Sequence, residues 1–118
     1  MSKRLQDDVD AVKLRIEDEV RERALSWKEE LDNMNPNGEE LHEFLERVLD
    51  VKKITVGNPF SQGDEVVHYE LLLSYGGPTT WLSTESGKLT VHWGGEEYNV
   101  TISNRELLDR IESIIEGR

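Results

Sequence analysis

Trp81, His92 and Glu97 are the residues whose types and spacing come closest to a chemical site. Two-residue hairpin turns at Ser86-Gly87 and Gly94-Gly95 would place them side by side on three adjacent antiparallel strands. Glu97 could then orient or charge the imidazole of His92, while Trp81 would offer a flat contact surface. Rows of this kind more often serve as cross-strand packing on a hydrated sheet face. We therefore interpret the row as a candidate partner contact rather than a catalytic site.

A second group of candidates is acidic and lies in the N-terminal third of the chain. Carboxylates there could contact a basic partner or imitate nucleic-acid charge; the candidates are Glu17, Asp18, Glu22, Glu29 and Glu30. The alternative is plain solvated helix surface, since Glu17 and Glu19 each have an arginine four residues later, in the favourable direction for a helical ion pair.

The sequence lacks the residues or spacings that other common kinds of catalytic and metal-binding site require. The chain has no cysteine, and its three histidines, His42, His68 and His92, lack the helical i, i+4 spacing of zinc motifs. No EF-hand spacing, nucleotide fingerprint or seryl-hydrolase signature is present. The sequence therefore predicts no catalytic residues, no metal and no cofactor, and we expect a protein that is not an enzyme.

The net charge of the chain indicates which kind of partner it favours. The 118 residues carry a net charge of −11, which argues against direct binding to nucleic-acid phosphates and favours a protein partner with a basic surface. The sequence contains no run of eighteen apolar residues, so no membrane-spanning helix is predicted. The acidic N-terminus is unlike a signal peptide. We expect a cytoplasmic protein, or one of the host cytoplasm if it is viral.

A long amphipathic helix is predicted over residues 5–34. Its apolar residues recur in steps of three and four along one face; they are Leu5, Val9, Val12, Ile16, Val20, Ala24, Trp27, Leu31 and Met34. Thirty residues make a rod of about 45 Å, longer than strands of about 20–34 Å, so the helix should overhang its sheet. We predict a homodimer through this helix; the alternative is a helix that curls over the core of a monomer. Three consecutive steps of four from Val12 to Ala24 interrupt the heptad and disfavour a long supercoil.

The remaining pattern predicts an α+β fold in a single domain over residues 1–118. A second helix is expected over residues 38–50, with Asn37 and Glu40 as its capping pair. A four-stranded antiparallel meander follows over residues 65–102, with Lys53–Val56 as a candidate fifth strand. A C-terminal helix over residues 104–116 should pack on the sheet. For the turn near Gly76-Gly77-Pro78, a four-residue loop is favoured over a two-residue hairpin, because proline has no N–H.

Alternation along the strands separates the sheet into two faces. The core face is nearly all apolar and consists of Val67, Tyr69, Leu71, Leu73, Leu82, Leu89, Val91, Trp93, Tyr98, Val100 and Ile102. The solvent face is mostly polar and consists of His68, Glu70, Leu72, Ser74, Trp81, Ser83, Thr90, His92, Glu97, Asn99 and Thr101.

The segment YELLLSYGGP, residues 69–78, resembles a strand and turn found in small acidic proteins encoded by phages, plasmids and other mobile elements. In those proteins further short strands with aromatic residues follow, as they do here. The resemblance covers about 30 residues of the chain. It implies a mobile-element accessory protein, some of which block host defence by binding a nuclease or its nucleic-acid site, and it assigns no functional residue.

Two functional interpretations follow. The first is a non-enzymatic acidic binding protein that inhibits or regulates a protein partner, such as a mobile-element inhibitor of a CRISPR effector. The second is a structural or assembly subunit that uses the long N-terminal helix for oligomerisation.

Overall fold

The fold is α+β, with three helices and one five-stranded antiparallel sheet. A computed structural model describes residues 2–57 and 65–117, and the side chains of residues 9–55, 57 and 67–117. The helices are α1 (Ser2–Asp32), α2 (Glu39–Arg47) and α3 (Arg105–Ile115). The strands are β1 (Asp50–Gly57), β2 (Glu65–Ser74), β3 (Thr79–Ser83), β4 (Lys88–Trp93) and β5 (Glu96–Thr101). Both predictions, of the class and of an antiparallel sheet, are confirmed.

The sheet is a meander in the order β1-β2-β3-β4-β5, with every neighbouring pair antiparallel. The candidate fifth strand is real and twice as long as predicted, since all eight residues of β1 pair with β2, from Asp50 opposite Leu72 to Gly57 opposite Glu65. Gly94 and Gly95 form the predicted two-residue turn, because Trp93 pairs with Glu96 and both glycines have positive φ.

Helices cover the predicted core face of the sheet. The core contains Val20, Ala24 and Leu31 of α1 together with residues of α2, of the sheet, and of α3 with the segment before it. These residues are Leu41, Phe44, Leu71, Leu73, Leu82, Leu89, Val91, Ile102, Leu107, Leu108 and Ile111. Trp93 is an exception to the predicted face, since at the end of β4 it is 37% exposed.

The long helix α1 overhangs the sheet as predicted. Val20 is 2% exposed and Ala24 is fully buried, whereas Val9 and Val12, on the same helical face, are 55% and 52% exposed. Ile16 marks the boundary, because a Cβ atom added to Gly94 in the β4–β5 turn would lie 2.9 Å from its Cδ1 atom. The apolar stripe therefore covers its own sheet only from about Ile16 onward.

Helix α2 is shorter than the predicted span of 38–50. Val48 has extended backbone angles, and the amide of Leu49 donates to the carbonyl of Leu72 at 2.8 Å, which draws the chain into β1. The predicted capping pair is also wrong: Gly38 is the N-cap and makes no side-chain cap hydrogen bond. The amide of Asn37 instead donates to Asn35 Oδ1.

The register between β3 and β4 differs from the prediction by two residues. Trp81 lies opposite Thr90, not His92. The turn contains four residues, 84–87, because Thr84 hydrogen-bonds to β2 instead of pairing with β4. Its amide donates to the carbonyl of Tyr69, and its hydroxyl accepts the amide of Tyr69, both at 2.9 Å. Thr84 is fully buried in this position.

The register between β2 and β3 also departs from the favoured prediction. Leu72 lies opposite Trp81, which is the register of the two-residue alternative, and a β-bulge between Leu72 and Ser74 then shifts the pairing so that Ser74 faces Thr80. The Ser74 hydroxyl donates to the carbonyl of Pro78 and lies 2.7 Å from the Thr80 hydroxyl. Ser74 therefore leaves the solvent face to which alternation assigned it.

A polar junction ties the end of α1 to the start of α3. The Asp32 carboxylate accepts the amides of Ser103 and Asn104 at 2.7 and 3.2 Å and the ammonium of Lys28 at 2.7 Å. In return the Asn104 side chain donates to the carbonyls of Leu31 and Met34 and accepts the amide of Leu107. Asn104 is thus the N-cap of α3.

Candidate functional site

The candidate residues of the sheet border a shallow depression of about 240 Å³ on the face that the helices leave open. Its lining is polar except for one indole, and consists of Glu70, Trp81, Ser83, Lys88, Thr90, His92 and Glu97. Trp81, His92 and Glu97 therefore share one surface feature, as the sequence predicts, although they do not form a single cross-strand row.

Trp81 stands in a different row from the other two candidates. Its direct neighbours are Leu72 and Thr90, and Thr90 pairs in turn with Asn99, whose side chain accepts the Thr90 hydroxyl at 2.6 Å. Trp81 is half-buried between these strands. The indole of Trp81 thus forms one side of the depression and is held in place by its strand neighbours. Tryptophan is among the residues that contribute most to binding at protein interfaces.

His92 and Glu97 are directly opposite each other, as predicted, with His92 Nε2 and Glu97 Oε1 3.5 Å apart. Their side chains are 51% and 50% exposed. Because water screens the interaction in such an exposed pair, the pair contributes little to stability and holds the imidazole only weakly in position. The arrangement suits polar contact with a partner better than proton transfer.

A groove between α1 and β5 joins the acidic helix to the open sheet face. It has a volume of about 320 Å³ and is lined by Glu17, Asp18, Val20, Arg21, Glu96, Glu97 and Tyr98. Asp18 also lines a depression of about 550 Å³ on the outward face of α1, together with Glu22. Glu97 lines both the groove and the depression on the sheet. Two surfaces that are separate in the sequence are therefore continuous in the structure.

Glu29 and Glu30 lie farther along α1, beside α2. With Glu40 they border a shallow depression of about 520 Å³, and Arg47 of α2 pairs with Glu30 at 2.9 Å. The acidic face of α1 thus continues onto α2, whose nine residues include four glutamates and one arginine.

A second solvent-face assignment, after that of Ser74, is wrong at His68. Its Nδ1 atom lies 3.0 Å from Glu112 Oε2 of α3, and the two side chains are only 20% and 12% exposed. Glu112 also approaches Arg105, which donates to the carbonyls of Thr84 and Glu85. Alternation along β2 does not reveal this contact because it joins residues 44 positions apart.

Sequence reasoning misses four residues of the sheet depression as candidates: Glu70, Ser83, Lys88 and Thr90. Glu70 and Ser83 lie on the predicted solvent face and pair directly with each other, so adjacency on that face was the available signal. Lys88 stands two residues before Thr90 in β4, so alternation indicates the same face, but its place beside the predicted Ser86-Gly87 turn left it without a face assignment.

Among the described side chains, those of residues 9–55, 57 and 67–117, no group of three His, Asp or Glu is arranged to hold a metal ion. None of the helices in that part of the chain has the length and apolar character needed to cross a membrane. No protein-family model, curated protein sequence or solved structure matches the chain.

Proposed function

We propose that this protein is a non-enzymatic, acidic binding protein that engages a basic protein surface. The observation that carries the proposal is the continuity of its two candidate surfaces through Asp18 and Glu97. One partner could therefore contact the outward carboxylates of α1, the groove beside β5, and Trp81 on the open sheet face together.

The charge of this surface supports a basic partner. Residues 17–47 carry eleven acids and four bases. Glu17, Glu22 and Glu29 have no ion-pair partner among the described side chains, whereas Asp18 and Glu19 are paired with Arg21 and Arg23. Carboxylates without internal partners are available to a partner's lysines and arginines, and they would accelerate its approach at low salt.

The specific form of the proposal is an inhibitor or regulator encoded by a mobile element. Its acids would occupy the basic channel of a nucleic-acid-processing complex, such as a CRISPR effector, in the host cytoplasm. The resemblance of residues 69–78 supports the origin, and the acidic surface supports the mode of action. The protein itself would not bind nucleic acid.

Neutralising the acidic face should weaken capture of the partner. We expect Glu22→Gln combined with Glu29→Gln to lower affinity for a partner retained from host lysate about tenfold at low salt. Binding of the native protein should fall between about 0.1 and 1 M NaCl, over which the Debye length shrinks from about 10 to 3 Å. Added DNA should compete with the native protein for the basic partner.

The matched control is Glu85→Gln combined with Glu106→Gln, which removes the same charge from exposed positions elsewhere. This control should retain native affinity. A partner held equally well at high salt, or lost equally by both double variants, would contradict binding through this acidic surface.

The sheet end of the surface is tested by Trp81→Ala. Buried aromatic anchors cost about 2 kcal/mol or more when removed from an interface, so we expect at least a tenfold loss of affinity for the same partner. Circular dichroism and thermal unfolding verify that the variant is folded. If Trp81→Ala weakens binding and the acidic double variant does not, the sheet face alone is the working surface.

A second function, an assembly subunit that oligomerises through α1, is favoured by one observation: Val9 and Val12 continue the core stripe of α1 into solvent. On this interpretation the expected homodimer is the functional unit.

A further inference from the structure

We infer that Asn37, in the turn between α1 and α2, is a site of spontaneous chemical modification. The backbone nitrogen of Gly38 attacks the side-chain carbonyl carbon of Asn37 to form a succinimide, which water then opens to aspartate or isoaspartate. The inference concerns a part of the molecule that neither proposed function uses, and it is independent of both.

The reaction needs no co-reactant except water. A bond forms between Gly38 N and Asn37 Cγ, the bond from Cγ to Nδ2 breaks, and ammonia leaves with the proton of the Gly38 amide. Water then adds to one of the two carbonyl carbons of the imide. Opening at Cγ gives aspartate with a normal backbone, whereas opening at the backbone carbonyl gives isoaspartate, in which the chain runs through the side chain. One amide is thus hydrolysed to one carboxylate and one ammonia.

Gly38 leaves its nitrogen open to this attack. A Cβ atom on the following residue would crowd the approaching carbonyl carbon, and glycine has none. The two reacting atoms belong to adjacent residues, so that the attack is unimolecular and its entropic cost is small. Asn-Gly occurs once in the chain, at residues 37 and 38.

The Asn37 side chain can turn toward that nitrogen. It is exposed and makes no hydrogen bond with any group that the structure describes, whereas its backbone amide donates to Asn35 Oδ1 at 2.9 Å. The Gly38 amide donates to the Asn35 carbonyl at 3.2 Å, and this bond must open before attack. One such bond slows the attack by about fivefold, which reduces the rate without preventing the reaction.

The other five asparagines of the chain lack this combination. Asn35 and Asn58 each precede proline, whose nitrogen carries no hydrogen and cannot form the imide. The remaining three precede residues with larger side chains, and hydrogen bonds hold their own side chains; they are Asn33, Asn99 and Asn104. Modification should therefore concentrate at Asn37.

The new carboxylate would lie at a charged contact with α3. Asn37 borders a depression of about 300 Å³ whose other lining residues are Pro36, Glu106, Asp109, Arg110 and Ser113. Asp109 is already paired with Arg105 at 3.0 Å. Arg110 is exposed and has no ion-pair partner among the described side chains, so it is the counter-ion available to a carboxylate at position 37. The modification therefore changes the charge between the α1–α2 turn and α3.

Incubation of the whole protein at mildly alkaline pH, followed by peptide mass spectrometry, tests the inference. We expect the peptide that contains Asn37 to gain about 1 Da, the difference between an amide and a carboxyl group. The gain should accumulate at least about tenfold faster at Asn37 than at Asn33, Asn99 or Asn104. A methyltransferase specific for isoaspartate should label the same peptide. The rate should rise with pH, because the Gly38 nitrogen attacks after losing its proton.

Gly38→Ala is the matched variant. Gly38 has φ −96°, and the nearest atom to an added Cβ is Asn35 Cβ at 3.4 Å, an ordinary van der Waals contact, so alanine fits the turn. We expect modification of Asn37 to be at least about tenfold slower in this variant. Circular dichroism verifies that the variant is folded.

An Asn37 that stays unmodified, modification spread evenly over the asparagines, or equal rates in the native protein and Gly38→Ala would overturn the inference. None of these results bears on binding to a basic partner or on oligomerisation through α1, because those are measured on freshly prepared protein.

Discussion

Replacing Gly87 with alanine is expected to lower the free energy of unfolding by about 2–4 kcal/mol. Gly87 has φ +74°, and an added Cβ atom would lie 2.6 Å from the carbonyl oxygen of Ile102 and 3.1 Å from Leu108 Cδ1. The Ile102 backbone is not free to retreat, because its amide donates to the Gly87 carbonyl at 2.8 Å. Urea unfolding followed by circular dichroism measures the loss.

Gly95→Ala is the matched control for this experiment. Gly95 has φ +84°, but among the described residues no atom outside Gly95 and its two chain neighbours lies within 4 Å of its added Cβ. Its substitution should therefore cost only the conformational part, about 1 kcal/mol. Equal losses for the two variants would show that the close approach of Gly87 to Ile102 has no energetic importance.

Asp32→Asn is expected to reduce stability by about 1–3 kcal/mol at pH 7. Burial by itself raises the pKa of Asp32, but hydrogen bonds from Lys28 and from the amides of Ser103 and Asn104, with the charge of Lys28, outweigh it and hold the pKa below its ordinary value. Its side chain is 24% exposed, which limits but does not remove screening by water.

The sign of the pH dependence follows from that lowered pKa. A carboxylate with a lower pKa in the folded state contributes its full stabilisation above the unfolded-state pKa of about 4. That contribution disappears as the pH falls through the folded-state pKa. We therefore expect the stability difference between native protein and Asp32→Asn to be constant near neutrality and to shrink below about pH 4.

Denaturant unfolding at several pH values and one protein concentration measures this difference. Glu43→Gln, at an exposed position of α2, is the control and should show no comparable change with pH. A difference between native protein and Asp32→Asn that persists unchanged at pH 2–3 would mean that the junction stabilises the protein without the carboxylate charge.

Much of the fold follows from periodicity. The stripe of α1, the face alternation of β2 to β5 and the glycine pair at Gly94-Gly95 each express a local rule, so the α+β class and most core positions are predictable. The overhang of α1 is also predictable, because it compares only the lengths of a helix and a strand.

The candidate site was less predictable because it depends on register. Whether Trp81 faces His92 or Thr90 is decided by Thr84, which bonds to Tyr69 in β2 and lengthens the β3–β4 turn. The bulge after Leu72 has a similar origin, since the Ser74 hydroxyl bonds near Pro78 and Thr80. Such side-chain bonds leave no periodic signal in the sequence.

By itself, then, the sequence determined the class of fold, most positions of the two sheet faces, the acidity of α1 and the absence of cysteine chemistry, because these depend on residue types and local spacing. Only the tertiary structure decided that Asp18 and Glu97 line one groove, that His68 is held against Glu112, and that Ile16 is where α1 meets its own sheet. These relations join residues far apart in the chain. They depend on where whole elements pack against one another, which the burial of the common core determines.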